Sequence, residues 1–236
     1  MPNLQSERTP TGVLGFDDLL NGGFLKKSTN LLSGSPGSGK SILAMQFIIN
    51  GALNYNEPGV YISFEEDAND LRRDMKTFGW DIDKLEKEGK IAIINISPVD
   101  IEPQSSSESI LGVKDIIIKK INAKRIVIDS ATAYSVIYPD EPSRRRAHLE
   151  LFRMLKKWGC TSLLIAEHDL ETHVSSPLDF EVDSITWMYN FKKDHLRTRA
   201  IEVIKMRGSR HSTRTSALEI TDNGIEIYPR EPVFKP

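Results

Sequence analysis

A chain of 236 residues, 39% of them apolar and 27% charged, has the composition of a soluble globular protein and suits one large α/β domain or two small ones. A chain of this size buries roughly 70–75% of its unfolded surface, so it needs neither disulfide nor metal to hold a core. The formal charge of −2, without a long run of one sign, argues against a dedicated binder of nucleic acid or anionic membrane, and a single cysteine excludes disulfides and cysteine-based zinc sites within one chain.

Residues 1–10 read as a loose polar start that lacks the apolar core of a signal peptide; no apolar run approaches bilayer-spanning length, so a cytoplasmic location is expected. Phe16–Leu20 reads as a short helix stopped by Asn21-Gly22-Gly23. Ser28–Ser33 reads as a strand and Ile42–Leu53 as an apolar helix, with a glycine-rich turn between them. Val60–Phe64 is a buried-strand candidate, followed by helices at Asn69–Phe78 and Ile82–Lys87 and a strand at Ile91–Ile96. Pro98–Ser107 is a polar loop, and Glu108–Ile121 carries a helical apolar stripe.

Arg125–Asp129 reads as an apolar strand ending in an acid. The helix expected over Ser143–Trp158 should place Leu149, Phe152, Leu155 and Trp158 on one side. Cys160 heads the apolar strand Thr161–Ala166 and is expected as a small buried hydrophobe. Strands then crowd the end of the chain at Ile185–Asn190, Ala200–Lys205, Ala217–Ile220 and Ile225–Tyr228. Strand–helix alternation up to residue 166 predicts a parallel sheet with helices on both faces, to which the tail adds antiparallel strands. No linker or repeat divides the chain, and a single domain over residues 1–236 is expected.

The glycine-rich turn is Gly34-Ser35-Pro36-Gly37-Ser38-Gly39-Lys40-Ser41, which fits the phosphate-binding pattern G-x-x-x-x-G-K-[ST]. Glycines let backbone N–H groups curl inward as a concave donor surface for phosphate oxygens. Lys40 brings a point charge to the β- and γ-phosphates, and the Ser41 hydroxyl is a hard oxygen ligand suited to Mg²⁺. The strand before and the helix after aim a helix N-terminus at the phosphates, so a nucleoside triphosphate with Mg²⁺ is the expected ligand.

Ligands of parallel sheets gather at the C-terminal ends of the strands. Asp129, ending its strand, fits the acid that holds the Mg²⁺ hydration shell; the competing reading is an acid capping the next turn. Glu65 and Glu66 follow the strand Val60–Phe64, and one of them can orient and deprotonate the attacking water. Adjacent strand residues point to opposite faces, which favours Glu65; the competing reading makes both charges for the next helix's N-terminus. Lys205-Met206-Arg207-Gly208-Ser209-Arg210-His211 holds four basic groups in seven residues, either as a solvated strand end or as an anion-contacting loop.

Together, TGVLGFDDLLNGGF, GSPGSGKS, EPGVYISFEED, RIVIDS, KMRGSRH and ITDNGIEIYP in this order resemble the KaiC-like ATPases of the RecA superfamily, and above all their single-domain archaeal and bacterial members. The resemblance covers nearly the whole chain. It implies a RecA-like phosphate-loop core and ATP bound at a subunit interface of a homo-oligomer, commonly a hexameric ring. It implies that Lys40 and Ser41 act in cis, that Glu65 and Glu66 are paired catalytic glutamates, and that Lys205, Arg207 and His211 reach the nucleotide of the next subunit. Arg199 and Asp222 fall where relatives place nucleotide-contacting residues, and Glu167 and His168 where the superfamily places its nucleotide-state sensor. The autophosphorylated Ser-Thr pair of the clock protein is replaced here by Asp179-Phe180, which argues against an autokinase, although Thr172, Ser175 and Ser176 lie nearby.

Three functions compete. The first is a slow ATPase whose nucleotide state controls assembly or binding of a regulatory protein partner. The second is a recombination mediator that holds single-stranded DNA. The segment Asp169–Asp183 carries five acids and no Lys or Arg, which opposes phosphate neutralisation there; the run Arg144-Arg145-Arg146 is a solvated or subunit-facing turn or a DNA contact. The third is a non-hydrolysing ATP switch, which ranks below hydrolysis because both glutamates are present.

Overall fold

The computed structural model describes residues 7–97, 116–167, 177–193 and 195–233. The expected loop Pro98–Ser107, the first part of the stripe Glu108–Ile121, and His168, Thr172, Ser175 and Ser176 lie outside the described residues.

The first half of the chain runs β1 (Arg8–Thr9), α1 (Phe16–Leu19), β2 (Phe24–Leu25), β3 (Thr29–Gly34), α2 (Lys40–Asn54), β4 (Gly59–Ser63), α3 (Ala68–Met75), α4 (Ile82–Lys87) and β5 (Ile91–Asn95). Helix α5 (116–120) precedes β6 (Arg125–Asp129), α6 (Ala131–Val136), α7 (Glu141–Trp158) and β7 (Thr161–Glu167). The remainder is α8 (Pro177–Glu181), β8 (Ser184–Lys193), β9 (Leu196–Met206), β10 (Ser216–Thr221) and β11 (Gly224–Pro232).

Nine strands form one sheet in the order β11-β10-β9-β8-β3-β7-β6-β4-β5. From β8 to β5 every neighbouring pair is parallel, and β9, β10 and β11 continue from β8 in antiparallel pairing. The parallel strands are buried on both faces, as helices on each side require. Successive residues alternate between the two cores: Leu32, Tyr61, Val127 and Leu163 pack with α1–α4, whereas Leu31, Ile62, Ile126, Ile128 and Leu164 pack with α5–α8. On β6 this period carries Arg125, Val127 and Asp129 to the α2 face.

Two expectations are corrected. Residues 8–9 are not a loose start: they pair with β2, and Arg8 Nη1 donates to the Leu20 and Gly23 carbonyls at 2.9 Å. On α7 the buried stripe is Ala147, His148, Leu151, Phe152 and Leu155, while Leu149 is exposed. The apolar spacing admitted either stripe, and the helix is turned so that a polar His148 is buried in place of Leu149. Cys160 is 2% exposed, as expected, and donates to the Ala123 carbonyl. Among the described residues no helix is long and apolar enough to cross a membrane.

Arg125 at the start of β6 is fully buried under α2. Its Nε donates to Glu57 Oε2 at 2.8 Å, Nη1 donates to the Phe47 carbonyl at 2.9 Å, and the guanidinium lies 4.6 Å from the Phe47 ring centroid. Gly51 of α2 makes room for it, since a Cβ there would come within 2.4 Å of Arg125 Cδ. That contact explains a glycine in the middle of a helix, where it costs about 1 kcal/mol relative to alanine.

Candidate functional site

Strand β3 delivers the chain into the loop Gly34–Ser41, and α2 starts at Lys40 with Gly39 as its N-cap. No side chain caps this helix and its first turn holds no acid, so its leading N–H groups remain available to an anion. Ser35 Oγ and Ser38 Oγ, buried in the loop, have no protein partner. Donors in this arrangement suit the oxygens of a polyphosphate. Lys40 Nζ donates to the carbonyls of Gly34 at 2.9 Å and Ser35 at 3.1 Å. Burial pushes its pKa down, and the carboxylates of Glu167, Asp129 and Glu65 pull it back up.

Asp129 arrives from β6, two strands away from β3, through parallel pairing across β7. The Ser41 hydroxyl donates to Asp129 Oδ2 at 2.8 Å, and the Tyr61 hydroxyl donates to the same oxygen. Burial raises the pKa of Asp129, and the bonds from Tyr61 and Ser41 lower it. Burial also lifts the Tyr61 phenol well above its usual value, with the Asp129 charge adding to it. A hydroxyl and a buried carboxylate side by side at a helix N-terminus form a hard oxygen donor set, the kind Mg²⁺ takes. Tyr61 was not singled out from the sequence. Its signal was a phenol inside a buried strand, where the hydroxyl requires a partner.

Glu65 follows the end of β4. Its Oε1 accepts from the Ser130 hydroxyl, and Ser130 Oγ also caps α6 by accepting from Ala133 N at 3.0 Å. Glu65, Lys40, Ser41, Asp129, Ser130 and Glu167 line one cleft of about 300 Å³ together with loop residues. Glu66 is not part of that lining; burial raises its pKa, with Asp74, Asp129 and Asp70 adding to the shift. Both residues lie past the end of β4, in a bend rather than on the expected strand end, and the bend is fixed by Ser63 Oγ, which accepts from Glu66 N at 3.0 Å and donates to Glu66 O at 2.7 Å.

Arg199 of β9 donates from Nε to the Gly37 carbonyl at 3.0 Å, which places it on the phosphate loop of its own chain. Asp222 is exposed in the turn between β10 and β11, whose Ile220 and Ile225 flank Gly39. The basic segment lies elsewhere. β9 runs antiparallel to β8, so Arg199 pairs with Asn190 at the loop end of the sheet and Lys205 pairs with Ile185 at the other. Six residues of strand separate Arg199 from Lys205, about 20 Å. There Lys205 Nζ donates to the Asp179 carbonyl at 2.7 Å and Arg207 donates to the Phe180 carbonyl, both on α8. His211 Nδ1 lies 2.9 Å from the Ser212 carbonyl, and Ser212 N donates to Leu19 O at 2.8 Å. Lys40, Ser41, Asp129, Glu65 and Arg199 therefore gather at one end of the sheet, while Lys205, Arg207 and His211 gather at the other.

The family described as "ATPase: KaiC" matches residues 9–232. A UPF0273 protein of Thermotoga maritima is 37% identical over 95% of this chain and 97% of its own length. The circadian clock oscillator protein KaiC of Synechococcus elongatus is 33% identical over 97% of this chain and 46% of its own length. The crystal structure of a KaiC-like protein from Pyrococcus horikoshii OT3 is 38% identical, with a TM-score of 0.86 over 95% of this chain and 100% of that one. A mostly parallel sheet, a phosphate loop with its buried acid, and a family match over residues 9–232 agree: the chain belongs to the KaiC family of RecA-superfamily ATPases.

Proposed function

We propose that the protein, as a single ATPase domain, binds ATP with Mg²⁺ and hydrolyses it slowly at an interface between two copies of the chain, and that nucleotide state controls assembly or the binding of a regulatory partner. The observation that carries this reading is the separation of the two halves of the site. Lys205, Arg207 and His211 stand about 20 Å of strand away from Arg199 on the loop of their own chain, which supports a role for these basic groups at the nucleotide of a neighbouring copy rather than at their own.

Within one chain the loop N–H groups and Lys40 hold the phosphates, and Ser41 with Asp129 would hold Mg²⁺. The metal supplies charge neutralisation at the β- and γ-phosphates. Glu65 orients the attacking water and accepts its proton, with Ser130 fixing the carboxylate. Lys205 and Arg207 of the neighbouring copy offset charge developing on the transferred phosphoryl group. Turnover is slow because these trans groups, held to α8 carbonyls within their own chain, must be brought to the site at each encounter.

The test is ATPase activity per chain across a concentration range that spans assembly, with native mass measured with and without Mg-ATP. Specific activity should rise steeply as copies associate. Equal specific activity for monomer and oligomer would contradict a shared site.

A further inference from the structure

The carbonyls of Gly34, Ser35, Pro36 and Gly37 in the phosphate loop each accept a side-chain hydrogen bond. A loop that turns its N–H groups inward turns carbonyls outward, and a side chain that donates to these carbonyls holds the turn in place even where, as at Pro36 and Gly37, the loop is exposed. Lys40 serves Gly34 and Ser35. Asn190 Nδ2 serves Pro36 at 3.1 Å, and Arg199 Nε serves Gly37 at 3.0 Å. Four successive carbonyls are thereby held by three side chains.

Asn190 and Arg199 are direct register partners across β8 and β9, so one rung of the sheet supplies both of the latter donors. This rung flanks β3 on the side opposite β7 and β6 and therefore opposite Asp129. It also touches the loop itself: Gly37 has a φ of 74°, and a Cβ there would meet Asn190 Nδ2 at 3.0 Å. Lys40 is the donor assigned above to phosphate, so the rung supplies the loop's only side-chain carbonyl donors, among the described residues, that are independent of Lys40.

We propose that Asn190 is a positioning residue for nucleotide binding: paired with Arg199, it fixes the outward carbonyls of Pro36 and Gly37 and so keeps the N–H groups of Gly39 and Lys40 aimed at the phosphates. The inference rests on the nucleotide site proposed above. It differs from a contact to the ligand, because Asn190 acts on the loop before any phosphate arrives.

The experiment compares Asn190→Ala, which removes the donor, and Asn190→Asp, which keeps the shape and turns an acceptor toward the Pro36 carbonyl. Three readouts are taken: binding of a fluorescent ATP analogue with Mg²⁺, hydrogen exchange at the amides of Ser38 to Lys40 without nucleotide, and the nucleotide-free thermal midpoint. Loss of this hydrogen bond should weaken analogue binding about three- to tenfold for Asn190→Ala and more for Asn190→Asp. The loop amides should exchange faster with the midpoint little changed in Asn190→Ala, and the KM for ATP should rise more than kcat falls. Should Asn190→Asp fail to fold, Asn190→Ala carries the comparison. Wild-type binding and wild-type exchange in Asn190→Ala would overturn the inference while leaving the nucleotide site standing. Failure of the wild-type chain to bind the analogue would overturn both.

Discussion

The Ser41 hydroxyl donates to Asp129 Oδ2 at 2.8 Å across 88 residues of sequence. This bond joins the start of α2 to the end of β6 and completes an oxygen pair that neither element holds alone. A carboxylate 9% exposed pays a desolvation cost, which the Ser41 and Tyr61 hydroxyls only partly offset. Asp129→Asn should therefore raise the stability of the metal-free fold by about 1 kcal/mol, a thermal midpoint about 2–4 °C higher, while abolishing Mg²⁺-dependent hydrolysis. Calorimetry without nucleotide and an ATPase assay check the two halves. A less stable variant would mean that the charge is satisfied by the fold itself.

The two glutamates should separate kinetically. Glu65 lines the cleft with Lys40 and Asp129, and Glu66 does not. Glu65→Gln should lower kcat by about 10²-fold or more, the usual scale for losing a general base, with ATP affinity nearly unchanged. Glu66→Gln should cost less. Single-turnover rates measured on both variants decide the assignment, and a larger loss at Glu66 reverses it.

The buried Arg125 offers a test of the frame behind the site. Glu57→Ala leaves a guanidinium without its carboxylate under α2 and should destabilise the fold by about 2–4 kcal/mol. Gly51→Ala should cost about 1–3 kcal/mol, because the added methyl meets Arg125 side-chain atoms. Urea denaturation of each variant measures both.

Legibility in the sequence followed the range of the interactions. Gly34–Ser41 and Arg125–Asp129 were readable because local chemistry writes them: a glycine pattern in one case, an apolar run closed by an acid in the other. The pairing of Tyr61 with Asp129 was not readable, since it depends on β4 and β6 being neighbours in the sheet. On α7 Phe152, Leu155 and Trp158 face the core as the apolar spacing predicts, and only Leu149 does not: His148, 100° of helix away and bonded to Ser135 at 2.6 Å, is buried in its place. The role of Arg8 at the polar start is not legible in the sequence because its acceptors, the carbonyls of Leu20 and Gly23 and the hydroxyl of the distant Ser209, carry no local signal.

Cys160 allows a pH test remote from the site. Burial pushes its thiol up to about 11 from an ordinary value of 9.0. The folded chain therefore holds the proton that the unfolded chain releases first, and this contribution to stability is full below pH 9 and lost as pH rises toward 11. A thiol reagent at pH 8 should leave the native protein unmodified and label the urea-unfolded chain promptly. Rapid labelling of the native protein would contradict burial at this strand end.

The proposal of a site shared between two chains is tested most directly by mixing two inactive variants. Lys40→Ala removes the loop's charge but leaves Arg207, and Arg207→Ala leaves the loop intact. Equal amounts, mixed with Mg-ATP and allowed to exchange subunits, should recover part of the wild-type rate through interfaces that pair an intact loop with an intact Arg207. Mixed oligomers that form, verified by mass, and yet remain as inactive as either parent would contradict a site built from two chains.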